Sequence, residues 1–264
     1  MSNARADELG QWLLSQHDGR RPFQMLPTPP AAPDEAFIYD VQDALNRRRL
    51  ARGETVAGYK IGLTTPVMQQ LCHGDRPIAG VVFERTLRSA PAPVRAADFV
   101  RLGIESELAV RLGAALASGG RAVTRADVAA SVTHAAAAFE LIEDRFADYA
   151  TLDWRAMAAD NSWHGGLILG AAVPIGDVRG LDDGLAGRLT IDGVANAEGS
   201  TSDVLGHPYD AVVWLANHLR ARGGNLLAGH WISTGSIVPI RHAAAGQRYR
   251  FTLAGLPPVE LAVD

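Results

Sequence analysis

Two glutamates stand two residues apart inside the otherwise apolar run "RLGIESELAV" (101–110). On a strand, Glu105 and Glu107 share a face with Gly103 and Ala109, while Leu102, Ile104, Leu108 and Val110 take the other. Their bases are then roughly 6.6 Å apart. At an effective dielectric near 20 the repulsion is about 2.5 kcal/mol, set against a fold stability of about 5–15 kcal/mol. On a solvated edge water screens such a pair; in a cleft something positive has to accompany it. A third acid, Glu140 in "AAAAFELIEDR" (135–145), would share a strand face with Ala136 and Ala138, with Phe139 and Leu141 opposite. Glu143, Asp144 and Asp148 follow and read as solvated charges of an exit loop.

The basic residues carry a sharper signal. Of 25 Lys and Arg, only Lys60 is lysine. In a chain that uses arginine wherever charge suffices, a retained lysine points to a need for a compact ammonium that can shift its pKa or move a proton. Lys60 lies in "VAGYKIGL" (56–63), and on a strand Gly58 and Gly62 flank it on its own face. Glycines at both positions weaken a strand unless something must approach closely; the alternative is a surface lysine on an edge strand. Three carboxylates from two strands, each beside small side chains, would form an oxygen-rich pocket suited to Mg²⁺ or Mn²⁺. A divalent ion would cancel two of the three charges and Lys60 the last.

Other chemistries find no support. The lone lysine follows Tyr59, so there is no P-loop. No G-x-S-x-G elbow and no strand–GxGxxG–helix unit occurs. The eight histidines are scattered without zinc-site spacing. Net charge −4 leaves no footprint for nucleic acid or an anionic membrane. With one cysteine, Cys72, no intrachain disulfide exists. No signal-peptide pattern and no 18-residue apolar stretch is present, so a cytoplasmic globular protein is expected.

The elements that must position these residues follow from period and punctuation. Residues 5–17 read as a helix, "MLPTPPAAPDEAF" (25–37) as a proline-rich connector, and a helix opens at Asp34-Glu35 and runs to about Arg52, stopped by Gly53. Strands are expected at 56–63, 79–84, 103–112, 136–142, 165–170, 188–192, 230–234 and 247–263. Helices are expected at 125–133, capped by Thr124, and from Pro208 to about Arg222. Strands outnumber helices without alternating with them, which argues an α+β fold dominated by a β sandwich or barrel. An N-terminal helical segment (1–54) and a β-rich part (55–264) are expected to form one integrated domain.

In order, "GYKIGLTTP", "DRPIAG", "IESELAV", "FELIEDR", "AADNS", "LGHPYDAVVWLANHL" and "STGSIVP" resemble the fumarylacetoacetate hydrolase superfamily. The likeness is strongest to its branch of 2-oxopent-4-enoate (2-hydroxypenta-2,4-dienoate) hydratases and 4-oxalocrotonate decarboxylases, and it runs from about residue 35 to the end. The resemblance implies a mixed β-sandwich roll, Mg²⁺ or Mn²⁺ held by Glu105, Glu107 and Glu140, and Lys60 as the family lysine. Glutamate rather than aspartate at the third position favours the hydratase or decarboxylase side over the hydrolases. A hydratase would protonate the dienol at C5 and add water at C4, giving 4-hydroxy-2-oxopentanoate, with Lys60 binding the carboxylate or moving protons. Asp75 and Asp160 are candidate catalytic partners or else loop caps. Gly235 and Ser236 would offer donors to the substrate carboxylate or form a plain turn. A decarboxylase would need a further basic group, for which Arg76, Arg145 and His164 are candidates, although Arg145 can equally be an ion-pair partner. Trp163 and His164 depart from the small residues expected after "ADN"; Trp163 would line the pocket or pack in the core. An acylpyruvate C–C hydrolase and a non-catalytic partner subunit are the remaining readings. The family also implies a homo-oligomer, or association with a related decarboxylase or hydratase.

Overall fold

The structure, a computed structural model, describes residues 2–27, 34–116 and 120–264. Two helices open the chain, α1 (Ser2–Asp18) and α2 (Glu35–Ala51). The Asp34 carboxylate accepts the Phe37 N–H at 2.8 Å, capping α2. Phe37, Ile38, Val41 and Leu45 then turn into the core. Charge pairs Arg48–Asp7 and Arg52–Asp18 tie the two helices. Of the expected connector over 25–37, residues 28–33 lie outside the described residues.

There follow β1 (Val56–Gly62), α3 (Pro66–Leu71), β2 (Ile78–Phe83), β3 (Leu87–Ser89), β4 (Leu102–Leu112), α4 (Arg125–Ser131), β5 (Val132–Glu143) and α5 (Trp154–Ala159). Next come β6 (His164–Leu169), β7 (Val173–Pro174), β8 (Ala186–Ile191), β9 (Val194–Ser200), α6 (Pro208–Ala221), β10 (Trp231–His242), β11 (Arg248–Leu253) and β12 (Val259–Ala262). The larger sheet runs β2-β1-β10-β4-β5-β6-β3, with β7 on β5; the smaller runs β12-β11-β8-β9. Pairing is mixed, since β1–β10 and β3–β6 are parallel. This is the α+β, two-sheet architecture expected from the sequence.

The larger sheet is buried on both faces, so β5 shows nearly continuous burial rather than alternation. On one face Phe139 meets Tyr249 and Phe251 of the smaller sheet, with ring centroids 6.3 and 6.4 Å apart. On the other, a small second core gathers Ala57, Val82, Ala109, Ala138, Leu167 and Leu169. The alanines of β5 thus have a steric reason: inside a curled sheet little volume is left for side chains.

Several boundaries differ from expectation. β5 begins at Val132, so α4 stops two residues earlier than proposed, and β10 extends to His242 rather than 234. The run 247–263 is two strands separated by 254–258, where Gly255 takes φ +77°. α3, α5 and β9 were not expected. The two helices have six residues each, too short for a helical period to show. β9, "VANAEGS", buries no residue fully and has no apolar face to read. No described helix is long and apolar enough to cross a membrane.

Candidate active site

Strand register makes the acidic cluster. β4 and β5 pair antiparallel with Glu105 opposite Glu140, Glu107 opposite Ala138 and Ala109 opposite Ala136. Directly opposed residues share a face, so Glu140 joins the pair on β4. One carboxylate oxygen from each of the three lies within 4.8 Å of the others. Glu107 and Glu140 are fully buried, and half-buried Glu105 faces a cavity. Lys60 belongs to β1, three strands from β5. A flat sheet would hold the two strands about 14 Å apart; the curl of the sheet together with the reach of two long side chains puts Lys60 Nζ 3.3 Å from Glu140 Oε2.

The carboxylates are fixed from behind. Ser233 Oγ and the Gly235 N–H donate to Glu107 Oε2 at 2.5 and 2.8 Å. His164 Nδ1 lies 2.9 Å from Glu140 Oε1, with Thr86 Oγ1 3.2 Å from its Nε2. Burial pushes the His164 imidazole below its usual range, so a neutral ring donates through Nδ1. Of the remaining buried oxygens, Glu107 Oε1 accepts no hydrogen bond, while Glu140 Oε2 has the Lys60 ammonium at 3.3 Å. Leaving such acceptors unsatisfied is costly, and one ammonium cannot neutralise three carboxylates. Burial lifts the Glu105 carboxyl to about 7 against the pull of Lys60, with Glu140 adding to the rise. Burial, then Glu140 and Glu105, raise Glu107 well above the usual range. Burial opposes the Lys60 ammonium, but Glu140, Glu105 and Glu107 outweigh it and hold its pKa up. Hard oxygen donors, one of them without a hydrogen bond, whose charge with Lys60 is −2 once all three acids ionise, fit a divalent cation of the Mg²⁺ type.

The ammonium is aimed by a turn. Ser162 Oγ accepts from Lys60 Nζ at 3.1 Å. Asn161, Ser162 and Trp163 take φ of 50°, 53° and 57°, three successive non-glycine residues in the left-handed region. Each costs about 1–2 kcal/mol. The Asn161 amide holds the turn by bonding both the N–H and the C=O of Val81, at 2.8 and 2.9 Å. The two glycines beside Lys60 have separate reasons. A Cβ on Gly62 would lie 3.3 Å from Nζ, so its absence does leave room for the ammonium. A Cβ on Gly58 would lie 1.8 Å from the Trp231 carbonyl oxygen, so that glycine permits β10 to pair rather than opening space. Gly235, at φ +124°, brings its backbone against Thr64 while presenting its amide to Glu107.

Lys60 and Glu105 face a cavity of about 700 Å³. Ser236 and Trp163 line it too, but Ser236 Oγ is spent on the Val238 carbonyl at 2.6 Å. Trp163 does both things proposed for it, lining the cavity while packing edge-on to Phe23 and Tyr149. Other expected residues lie elsewhere. Asp75 is exposed and holds Arg76, which also reaches Glu35 of α2. Arg145 and Asp160 form a buried ion pair outside the cavity lining, joined by His17 of α1 at 2.6 Å from Asp160 Oδ1. The Gly235 amide serves Glu107 instead of facing substrate. Asp144 corrects a further expectation. It is fully buried, receiving Arg101, His242 Nε2 at 2.9 Å and the Tyr149 hydroxyl at 3.3 Å. Burial alone would raise its carboxyl; the bonds from Arg101 and His242 hold it below the usual range. His242 and Tyr149 form part of the cavity wall. Sequence reasoning gave no role to Ser162, Ser233 or Asp144; the first two lie within "AADNS" and "STGSIVP", so their local motifs were the available signal.

A family model described as fumarylacetoacetate (FAA) hydrolase C-terminal matches residues 66–264. A 2-hydroxyhexa-2,4-dienoate hydratase from Comamonas testosteroni is 33% identical over 221 residues, covering 83% of this chain and 82% of the relative. A 2-keto-4-pentenoate hydratase from Burkholderia vietnamiensis is 29% identical over 258 residues, covering 97% and 96%. Among solved structures, 4-oxalocrotonate decarboxylase from Pseudomonas putida G7, complexed with magnesium and adipate, matches at a TM-score of 0.92 and 25% identity. That match spans 100% of this chain and 99% of the other.

Proposed function

The chain belongs to the fumarylacetoacetate hydrolase family, and from that premise we propose that it is a divalent-metal-dependent hydratase. Its substrate would be 2-hydroxypenta-2,4-dienoate or a close homologue, and its product the 4-hydroxy-2-oxo acid. The observation that carries this reading is the buried Glu105–Glu107–Glu140 cluster with Lys60, set at a cavity large enough for a small acid. Hydratases among the relatives support the reaction class.

Glu105, Glu107 and Glu140 would hold Mg²⁺ or Mn²⁺, and the bound ion would supply Lewis acidity toward a 2-oxo acid. Ser233, the Gly235 amide and His164 keep the carboxylates directed, so the cluster needs little rearrangement. Lys60, raised in pKa by three acids and aimed by Ser162, would hold the proton delivered to C5 of the dienol. The apolar lining around it keeps bulk water from competing for that proton.

The decarboxylase reading draws on the structural match. Less supports it in the cavity: among the described lining residues only Lys60 and His242 are basic, and His242 already faces Asp144. A non-catalytic partner subunit would not need the cluster and Lys60 intact. Association with copies of itself or a related decarboxylase, and a cytoplasmic setting, belong to the same proposal. The test is incubation of purified protein with Mg²⁺ and 2-hydroxypenta-2,4-dienoate, following loss of the dienol absorbance and identifying the product by mass. Formation of 4-hydroxy-2-oxopentanoate is expected. No turnover there, together with CO₂ release from 4-oxalocrotonate, would move the assignment to the decarboxylase.

A further inference from the structure

We propose that the cavity takes 2-oxo or 2-hydroxydienoic acids carrying an extended apolar arm, several carbons long, on the end away from the carboxylate. The inference rests on the proposed function for the polar end alone. Lys60 and Glu105 mark that end. The rest of the wall is largely apolar, with Met68, Leu71, Met157, Trp163 and Ile240 among its residues. A cavity of about 700 Å³ falls in the range of about 300–1,000 Å³ that accommodates drug-sized ligands. A five-carbon acid would leave much of this apolar surface uncovered.

Helix α3 supplies an independent observation. None of its residues is buried, although Val67, Met68 and Leu71 are all apolar. Val67 and Leu71, four apart and so on one helical face, are 73% and 45% exposed, and both line this same cavity. An apolar face left exposed among the described residues, lining the same cavity as Lys60 and Glu105, fits the distal part of a ligand. A second carboxylate there is disfavoured. Beyond Lys60 the only basic group in the described lining is the His242 ring, which sits 2.9 Å from Asp144.

The experiment is calorimetric titration of the Mg²⁺-loaded full chain with unreactive saturated 2-oxo acids, from 2-oxopentanoate to 2-oxooctanoate, and with 2-oxoadipate. Affinity should tighten by about fourfold per added methylene, and 2-oxohexanoate should bind more tightly than 2-oxoadipate. Val67→Asp and Leu71→Asp, at exposed positions that the fold tolerates, should each shrink the long-to-short affinity ratio by about tenfold. Affinity that is flat or falls with length, tighter binding of 2-oxoadipate, or no binding by any homologue overturns the proposal. The two readings fail separately. A rising affinity without dienoate hydration removes the hydratase and leaves the arm; hydration with flat affinity removes the arm alone.

Discussion

Replacing Ser162 tests whether Lys60 has to be aimed as well as charged. The hydroxyl accepts from Nζ at 3.1 Å, and among the described residues the other direct contact of the ammonium is Glu140 at 3.3 Å. A hydrogen bond to a buried charge contributes about 1.5–3 kcal/mol, so losing it should slow turnover by about 10- to 150-fold. Stability provides an internal control, because Ser162 sits at φ +53°. Ser162→Ala keeps the left-handed strain and loses the bond. Ser162→Gly loses the same bond but relieves about 1 kcal/mol of strain, leaving it more stable by about 2–4 °C in Tm for a chain of this size. Steady-state kcat at saturating Mg²⁺ and thermal unfolding are measured on both variants. The expected pattern is an equal loss of kcat with unequal Tm. Wild-type kcat in both, or kcat that follows Tm, would refute a positioning role for the hydroxyl.

Lys60→Arg keeps the charge but forces a larger, planar group into a site where the ammonium is 1% exposed. Turnover should fall by roughly a hundredfold or more in steady-state assays, and a fully active variant would remove the case for a compact ammonium. Gly58→Ala places a Cβ 1.8 Å from the Trp231 carbonyl oxygen and should part β1 from β10. Soluble yield and circular dichroism should show loss of the fold, and a normal Tm would contradict the pairing. Metal uptake should depend on pH. With the Glu105 carboxyl at about 7 and burial holding Glu107 well above the usual carboxylate range, protons must leave before the cation binds, so affinity should rise as pH goes from about 6 to 8. Calorimetry in two buffers of different ionisation heat would detect the released protons; a pH-independent affinity would refute the linkage.

The acidic residues were legible because a strand has a period of two: Glu105 and Glu107 had to share a face, and Glu140 had to share one with Ala136 and Ala138, although those alanines are closely packed and leave no open space. Lys60 was legible from composition alone. Nothing local could show that Glu105 pairs opposite Glu140, since register belongs to two strands and not to one. Nor could it show that a curled sheet lets the side chains of Lys60 and Glu140, three strands apart, meet at 3.3 Å. The turn at 161–163 left no trace because residues with φ near +50° are usually glycine or asparagine, and here serine and tryptophan take it too. Asp144 looked solvated inside "EDR", yet its partners Arg101, just before β4, and His242, at the end of β10, come from remote segments, and it is fully buried. Asp75, Asp160 and Arg145 had the right chemistry for a site. Asp160 and Arg145 are instead spent on a buried ion pair joined by His17 outside the cavity lining, and Asp75 is exposed and paired with Arg76.

The central claim is that Glu105, Glu107 and Glu140 jointly hold one divalent cation. Its most direct measurement is titration of the full chain and of Glu107→Gln with Mn²⁺, reading free ion by electron paramagnetic resonance while circular dichroism monitors the fold. One ion per chain is expected for the wild type, with affinity at least about a hundredfold weaker in a folded Glu107→Gln. A wild type that takes up no ion, or a variant that binds as tightly, would contradict it.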